Sequence, residues 1–358
     1  MSPSGTAAHG GVAPAGGADV TSWLQYIQRT GVAFNTPEWA AVVRDCYGFE
    51  DCTVHSGAAS LPLFYSWSPL FGRKLVSAVF NSYASPVYDS VDECRELLRM
   101  AVATALARRV SLLEVKSLYP LPSALVEELR LIERRRYRTT LIDLDAHRSD
   151  LSGYSANFRS HLRRAYARVA RAEVSIARTT ALADVRSFHD VMLRHYRDNH
   201  SMIGQPRRLF EIMHERLILA GKGDLWVAKT ADGVVIGGIL FVTTPTIATG
   251  AFGASNASYR HLSIDAVMKD VTLRFYAERG FALYDLGISS PKQEALLFAK
   301  SRFRGMTFDI PYYYRLVEGG HVPEIDFADA YLGLRRLFRW VPMPLVRRLS
   351  PLVVRYLN

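Results

Sequence analysis

The most chemically distinctive stretch of the sequence is 157–171, NFRSHLRRAYARVAR. At helical spacing its apolar side chains form one narrow stripe, and arginines cover the remaining surface. These arginines are Arg159, Arg163, Arg164, Arg168 and Arg171. No acidic residue follows before Glu173, so the like charges repel one another at i,i+4 spacing. Such a face favours an anionic partner, and a solvated surface helix is the simpler alternative.

A second stretch, 283–305, reads LYDLGISSPKQEALLFAKSRFRG. We expect a strand through Asp285, then a polar loop, then a helix that carries Lys300. That helix begins beside Ser289 and Ser290, and the free N–H groups of a helix start bind anions or a developing oxyanion. Lys300 could stabilise negative charge or bind a phosphate, with an ordinary surface lysine as the alternative. Asp285 is expected to fix the strand end rather than to act as a general base.

The helices and strands that must position these two stretches are expected in a similar order in each half of the chain. The sequence of the second half predicts both helices and strands, and Ala231-Asp232-Gly233 is the expected turn of a β-hairpin. The helices are expected at 155–171, 181–199, 207–220, 261–279 and 292–302, and the strands at 224–230, 234–242, 246–252, 281–286 and about 308–315. The first half is a more compact α/β unit with a similar order.

Helix, helix, three antiparallel strands, helix, strand, helix and strand is the order of the acetyltransferase (GNAT) fold. The sequence therefore predicts an α/β (α+β) protein with two tandem GNAT-like domains and a C-terminal helical extension. Four regions are expected: a disordered tail at 1–20, an N-terminal domain at 21–145, a C-terminal domain at 146–320, and a basic amphipathic helical extension at 321–358.

The two chemical stretches together resemble the Fem-type (FemABX) peptidyltransferase group. That group pairs an Arg/Lys-rich helix with an aromatic-Asp-Phe-Gly strand and a later Phe-Lys-x-x-Phe-Gly motif. Tyr284-Asp285-Leu286-Gly287 and Lys300-Ser301-Arg302-Phe303 occupy those positions, and Gly204-Gln205-Pro206 followed by Phe210 is also similar. Ala299 and Arg304 depart from the motif, and the coiled-coil arm of some members is absent.

The resemblance implies an aminoacyl-tRNA-dependent aminoacyltransferase that acts on an amine, either a small metabolite or a cell-envelope precursor. Ordinary acetyltransferases cradle coenzyme A with a glycine-rich loop, whereas the equivalent 256–265, NASYRHLSID, contains no glycine. Coenzyme A is therefore disfavoured, and no cofactor is expected beyond the tRNA co-substrate. An acyl-CoA- or acyl-carrier-protein-dependent N-acyltransferase is the rival enzyme.

Residue roles follow from this hypothesis. Lys300 and Asp285 are the candidate catalytic residues. The candidate donor- and phosphate-binding residues are Arg159, Arg163, Arg164, Arg168, Arg302, Ser289 and Ser290. The candidate acceptor-binding residues are Arg197, Tyr196 and Tyr284. The spacings of His189, His195, His200 and His214 place no three on one helix face, so no metal site is expected.

Composition limits the classes that remain. Lysines and arginines total 44 against 34 acidic residues, a formal net charge of +10 that attracts anionic partners. Three cysteines without CxxC spacing, no signal-like N-terminus and no long apolar run favour a cytoplasmic protein. A third alternative is a non-catalytic membrane-surface module, in which Leu334–Arg339 and Leu345–Leu357 lie on anionic lipid.

Overall fold

The structure is a computed structural model that describes residues 20–69, 72–80, 83–145, 154–200, 203–317, 322 and 341–356. In the first half, Thr36 accepts a hydrogen bond from the backbone N–H of Trp39, and Ser90 forms a capping box with Glu93. The helices of this half are α1 (Val20–Thr30), α2 (Pro37–Tyr47), α3 (Val91–Ala107) and α4 (Ser123–Glu128). The strands are β1 (Glu50–Asp51), β2 (Val54–Ser56), β3 (Ala59–Leu61), β4 (Phe64–Ser68), β5 (Gly72–Val76), β6 (Leu112–Lys116) and β7 (Ile132–Asp143).

The second half has the predicted element order. Its helices are α5 (Ala156–Arg171), α6 (Leu182–His195), α7 (Arg207–Met213), α8 (Ile264–Glu278) and α9 (Glu294–Ser301), and α10 (Met343–Val353) lies in the C-terminal region. Its strands are β8 (Ser175–Thr179), β9 (Gly223–Lys229), β10 (Val235–Thr243), β11 (Ile247–Ser255), β12 (Leu283–Ser289) and β13 (Met306–Leu316). Ser155 caps α5 by accepting a hydrogen bond from the N–H of Phe158.

A single large sheet joins the two halves. Its order is β1-β4-β5-β6-β13-β7-β12-β11-β10-β9-β8, and β2 pairs with β3 in a separate hairpin. The described sheet has two parallel pairs, β5–β6 and β11–β12, and each is connected through one helix, α3 or α8. The same strand–helix–strand unit therefore occurs once in each half, which confirms the prediction of one architecture used twice.

The last strand of each half lies in the other half of the sheet. β7 belongs to the first half by sequence, yet it pairs with β12, whereas β13 pairs with β6. β7 and β13 also pair with each other at the centre of the sheet. Each half therefore supplies the strand that completes the other half of the sheet. The division into domains at 21–145 and 146–320 stays a prediction.

Two cores cover the two faces of the second half. One lies between the sheet and helices α5 and α8, and it includes Phe158, Leu162 and Met268. The other lies on the opposite face, under α6 and α7, and continues into the first half, where it includes Trp23 and Phe64. Because α5 packs its apolar stripe inward, its arginines are left on the side away from the sheet.

Several predicted boundaries are displaced. Helix α8 begins at Ile264 rather than residue 261, because Ser263 adopts a left-handed conformation with φ of +56°. The helices predicted at 181–199 and 207–220 each end in a π-helical turn, Tyr196–His200 and His214–Ile218. The predicted tail, apart from Val20, and the basic stretch 331–340 lie outside the described residues. Among the described helices, none has the length and apolarity needed to span a bilayer.

Candidate functional site

The parallel strands β11 and β12 separate at the centre of the sheet. Their pairing ends at Thr249 and Asp285, although β11 continues to Ser255 and β12 to Ser289. Gly287 has a φ of +72°, and a Cβ at this position would lie 3.0 Å from the backbone oxygen of Gly250. Only glycine fits this bulged approach without strain. The separation leaves an opening between two strands of the sheet.

Two buried hydroxyl groups lie at this opening without a hydrogen-bond partner among the described residues. They are Thr249 Oγ1, on the last paired residue of β11, and Ser289 Oγ, at the end of β12. Buried polar groups are nearly always hydrogen-bonded in folded proteins. A bound substrate that supplies polar atoms here would satisfy both.

Asp285 is held at the end of the pairing, 1% exposed. Its carboxylate accepts hydrogen bonds from the Tyr83 hydroxyl, from Thr139 Oγ1 at 2.9 Å and from the Gly287 N–H at 2.8 Å. Burial raises the pKa of Asp285 above its ordinary value, against the opposing effect of these donors. These bonds agree with the prediction that Asp285 fixes the end of the strand. To act as a general base, Asp285 would have to give up hydrogen bonds that it accepts here.

Lys300 lies inside the protein, 4% exposed, and not on the surface as the simpler alternative had it. Its Nζ donates a hydrogen bond to the Gly287 carbonyl oxygen at 2.6 Å and lies 3.5 Å from the carbonyl oxygen of Ile288. Burial lowers the pKa of Lys300 to about 7, while the Asp285 carboxylate opposes that shift and Lys269 adds to it. A primary amine that titrates near neutrality therefore lies under the bulge of β12.

Arginines converge around His161, between α5 and the end of α9. The Arg302 guanidinium lies 4.3 Å from the ring centroid of Phe158. Burial and the positive charges of Arg302, Arg168 and Arg164 lower the pKa of His161. The structure thus brings together three of the predicted donor-binding arginines, while Arg159 and Arg163 lie on the first turns of the same helix.

The predicted serines differ from each other. Ser290 builds the turn before α9: its N–H donates to Gln293 Oε1 at 3.1 Å, and its Oγ accepts from the Lys292 N–H at 3.3 Å. Helix α9 starts at Glu294, two residues later than expected, so its first N–H groups do not lie beside Ser290. Ser289, in contrast, has a buried hydroxyl without a hydrogen-bond partner among the described residues.

The acceptor candidates do not form one site. Tyr196 lines a cavity of about 50 Å³ between the halves, together with aromatic residues that include Phe34, Trp39 and Phe252. Arg197 forms an ion pair with the adjacent Asp198, with a Nε–Oδ1 distance of 2.7 Å.

Tyr284, a predicted acceptor-binding residue, lies in the core, and its role in binding stays a prediction. Its ring is buried in the core under α8, and its hydroxyl is 2.9 Å from Thr272 Oγ1.

The segment 256–265, which corresponds to the coenzyme A loop of ordinary acetyltransferases, is held by a side-chain contact from α5. Ala257–Leu262 form a 3₁₀ helix, and Arg168 Nη2 donates to Ser263 Oγ at 2.9 Å, directly before α8. Within the described residues no cluster of side chains is suited to a metal ion. The buried His189 bonds to the Gln205 carbonyl at 3.0 Å, and burial lowers its pKa to about 4, which agrees with a structural role.

Sequence reasoning missed Tyr83 and Thr139, the two first-half residues that bind Asp285. Tyr83 is separated from Asp285 by 202 positions, and no spacing rule connects them. Thr139 lies on β7, and the exchange of β7 between the halves was not expected, so its contact with β12 could not be anticipated.

Comparisons with known proteins agree with this architecture. A family model described as an acetyltransferase (GNAT) domain matches residues 156–293. No curated protein sequence matches the chain.

Solved structures show the same fold at low sequence identity. FemX is 13% identical with a TM-score of 0.60, covering 79% of this chain and 92% of its own. The C-terminal domain of a putative lysylphosphatidylglycerol synthetase from Agrobacterium fabrum is 15% identical with a TM-score of 0.55, covering 79% and 88%. L-PGS from Bacillus licheniformis is 12% identical with a TM-score of 0.52, covering 86% and 98%. The chain therefore has a Fem-like fold, and its residues 156–293 match an acetyltransferase (GNAT) domain, which supports an acyltransferase enzyme.

Proposed function

We propose that the protein forms an amide bond by transferring an aminoacyl group from aminoacyl-tRNA to an amine acceptor. The observation that carries the proposal is the buried amine of Lys300 under the bulge of β12, where β12 separates from β11. The arginines that converge around His161 add a positively charged surface. A donor with a phosphate-rich end and a reactive ester matches both parts of this site.

The positive charge favours a donor that reaches the opening from the side of α5. Arg302, Arg168 and Arg164 are close enough to shift the pKa of His161 together, and Arg163 is exposed on the same helix. Guanidinium groups bind phosphate oxygens through paired hydrogen bonds. Several phosphates of a nucleic acid would neutralise this cluster more fully than one small anion.

The chemistry requires little beyond positioning. The acceptor nitrogen attacks the ester carbonyl carbon, the C–N bond forms, the C–O bond to the ribose breaks, and the amine proton ends on the ribose oxygen. Negative charge develops on the carbonyl oxygen and then on the leaving ribose oxygen. A protonated Lys300 would stabilise that charge in a site from which water is largely excluded.

Asp285 contributes by position rather than by proton transfer in this proposal. It anchors the end of β12 to Tyr83 and Thr139 of the first half, and its N–H donor Gly287 is the residue whose carbonyl oxygen binds Lys300. Asp285 and Lys300 are thereby linked through one residue of backbone.

The acceptor is an amine on a small molecule or on a cell-envelope precursor. The aromatic cavity between the halves, where Tyr47 donates to Gln205 at 2.6 Å, lies on the face of the sheet opposite to α5 and α8. Donor and acceptor would then approach the opening from opposite faces. A cytoplasmic location, where charged tRNA is found, belongs to the same proposal.

Acyl transfer from coenzyme A is the second candidate, favoured by the match to an acetyltransferase domain. Against it, the segment before α8 has no glycine, and Arg168 already binds Ser263 there. A backbone cradle for a pyrophosphate would need close approach to N–H groups at this point.

The deciding experiment incubates the protein with a pool of radiolabelled aminoacyl-tRNAs and candidate amines. We expect amine-dependent deacylation and a labelled amide product, with the rate strongly lowered in Lys300→Met and unchanged in the exposed-lysine control Lys222→Ala. Acetyl-CoA is tested in parallel. Acetylated amine with no tRNA deacylation would overturn the proposal in favour of the coenzyme A reading.

A further inference from the structure

Helix α10 has two unlike faces. Val346 and Ser350 are buried, and they form a stripe that packs inward. The outer stripe consists of Leu345, Arg348 and Leu352, which are spaced about one helical turn apart, and Arg355 follows one turn later. Leu345 is 47% exposed and Leu352 is 64% exposed. The solvent face of an ordinary surface helix carries mixed charges rather than leucines, so this face is unusual for a purely structural helix.

The orientation of the outer face is fixed by contacts on the inner side. Ser350 Oγ donates to the Gly204 carbonyl oxygen at 2.6 Å. The Arg347 guanidinium lies 2.9 Å from an Asp190 carboxylate oxygen on α6. These contacts hold α10 against the second half, so its leucines cannot turn inward.

The β4–β5 hairpin extends this face with an aromatic side chain. Ser68 Oγ donates to the Tyr356 carbonyl oxygen at 2.7 Å, which ties the hairpin to the end of the α10 region. Trp67 is 51% exposed, and its ring centroid is 5.9 Å from that of Tyr356. Its cross-strand partner, Arg73, is exposed as well. Of the three residues that connect the strands, 70 and 71 lie outside the described residues.

Charge on this surface has one sign. No acidic residue occurs in strands β4 and β5 or in 341–356, the described segments that supply it. Arg355 lies over the Tyr356 ring at 5.0 Å. We call the exposed set the C-terminal patch, defined by Trp67, Arg73, Leu345, Arg348, Leu352 and Arg355.

We propose that the C-terminal patch docks the protein on the surface of an anionic lipid bilayer. Leucine and tryptophan side chains enter the boundary between headgroups and acyl chains, and neighbouring arginines bind the lipid phosphates. A nucleic acid would account for the arginines but not for two half-exposed leucines and a tryptophan beside them. The complete lack of acidic residues makes an anionic membrane the better match than a protein surface of mixed charge.

This inference goes beyond the proposed transfer reaction and does not depend on it. If the patch docks as proposed, the protein carries a membrane-binding surface in addition to its site at β11 and β12. The acceptor would then be met at the membrane, whichever acyl donor is used.

The test is co-sedimentation of the full chain with vesicles of phosphatidylcholine alone or with phosphatidylglycerol added. Wild-type protein should bind the phosphatidylglycerol vesicles and release as salt rises. Leu352→Glu, and separately Arg348→Glu with Arg355→Glu, should weaken binding at least about tenfold, because each removes insertion or reverses attraction. The matched control is Leu219→Glu, at a leucine that is 60% exposed outside the patch.

Each outcome decides the proposal. No binding of wild-type protein to phosphatidylglycerol vesicles would overturn it, as would equal loss in Leu352→Glu and Leu219→Glu. All variants are first compared by thermal unfolding, and only those within a few degrees of wild type are used. Binding of bulk tRNA is measured alongside, and patch variants that lose tRNA binding while keeping vesicle binding would assign the patch to nucleic acid instead.

Discussion

Lys300 Nζ donates a hydrogen bond to the carbonyl oxygen of Gly287 at 2.6 Å, and the N–H of the same glycine donates to Asp285 at 2.8 Å. One backbone residue thus connects the buried cation to the buried carboxylate. The connection depends on the left-handed conformation of Gly287, which turns its carbonyl oxygen out of the strand pairing. The five predictions below concern this connection or the residues that support it.

Replacing Lys300 with methionine should lower the transfer rate by about 10²–10³-fold, the range seen when one charge-stabilising donor is lost. Methionine fills a similar volume, so the free energy of unfolding should hardly fall. It should rise under conditions in which burial of the charged Lys300 destabilises the wild-type protein. The rate is measured with aminoacyl-tRNA and amine in excess. Full activity of Lys300→Met would refute the catalytic assignment.

The rate should depend on pH through Lys300. Burial lowers the pKa of Lys300 to about 7, so the stabilising cation is lost as pH rises through that value. The transfer rate should therefore fall above about pH 7 in wild-type protein, after correction for acceptor protonation. Lys300→Arg keeps its charge throughout and should remove this fall. A rate that rises through pH 7 in wild type and stays flat in Lys300→Arg would instead make the neutral amine a base.

The same pKa has a consequence for stability. Because the folded-state pKa is lower than the ordinary value of 10.5, the unfolded chain binds more protons between about pH 7 and pH 10.5. The Lys300 contribution to the free energy of unfolding should therefore increase with pH across that window. Denaturant unfolding of wild type and Lys300→Met at several pH values gives the difference. A difference that does not change with pH would contradict a lowered pKa.

Gly287→Ala should destabilise the protein more than Gly233→Ala. Both glycines have positive φ, but an added Cβ at Gly233 meets nothing within 4 Å, whereas at Gly287 it meets the Gly250 oxygen at 3.0 Å. We expect about 1 kcal/mol for the backbone strain alone and about 1–3 kcal/mol more at Gly287. Urea unfolding measures both, and equal losses would show that the close approach of the strands does not matter.

Tyr83→Phe should cost about 1–3 kcal/mol in the free energy of unfolding, because a buried carboxylate loses a donor. The matched control is Tyr26→Phe, which removes a neutral hydrogen bond of 2.7 Å to Thr246. That change should cost about 1 kcal/mol. If the two losses are the same, Tyr83 does not stabilise an ionised Asp285.

The element order of the second half could be predicted because local signals agree with the final structure. The apolar stripe of 157–171 packs inward at Phe158, Leu162 and Val169, as helical spacing requires. The arginines of α5 could also be predicted, since they lie on one helix. The late start of α8 was not, because it depends on the single φ of Ser263.

The site itself was only partly predictable. Lys300 and Asp285 were identified by their motif, but the burial of Lys300 follows from the bulge at Gly287, which period-2 patterning does not reveal. The aromatic type of Tyr284 suggested binding, whereas its register opposite Ala248 directs it into the core, which the sequence did not indicate. The partners of Asp285 come from the other half of the chain, and no local pattern encodes them.

The exchange of β7 and β13 sets an order of events during synthesis. The first half ends its own chain segment with β7, but the place beside β6 stays empty until β13 leaves the ribosome some 160 residues later. Strand β6 thus has an open edge for most of translation. A nascent chain stalled before residue 306 would expose that edge to other chains, so premature termination should yield an aggregating product rather than a stable half-enzyme.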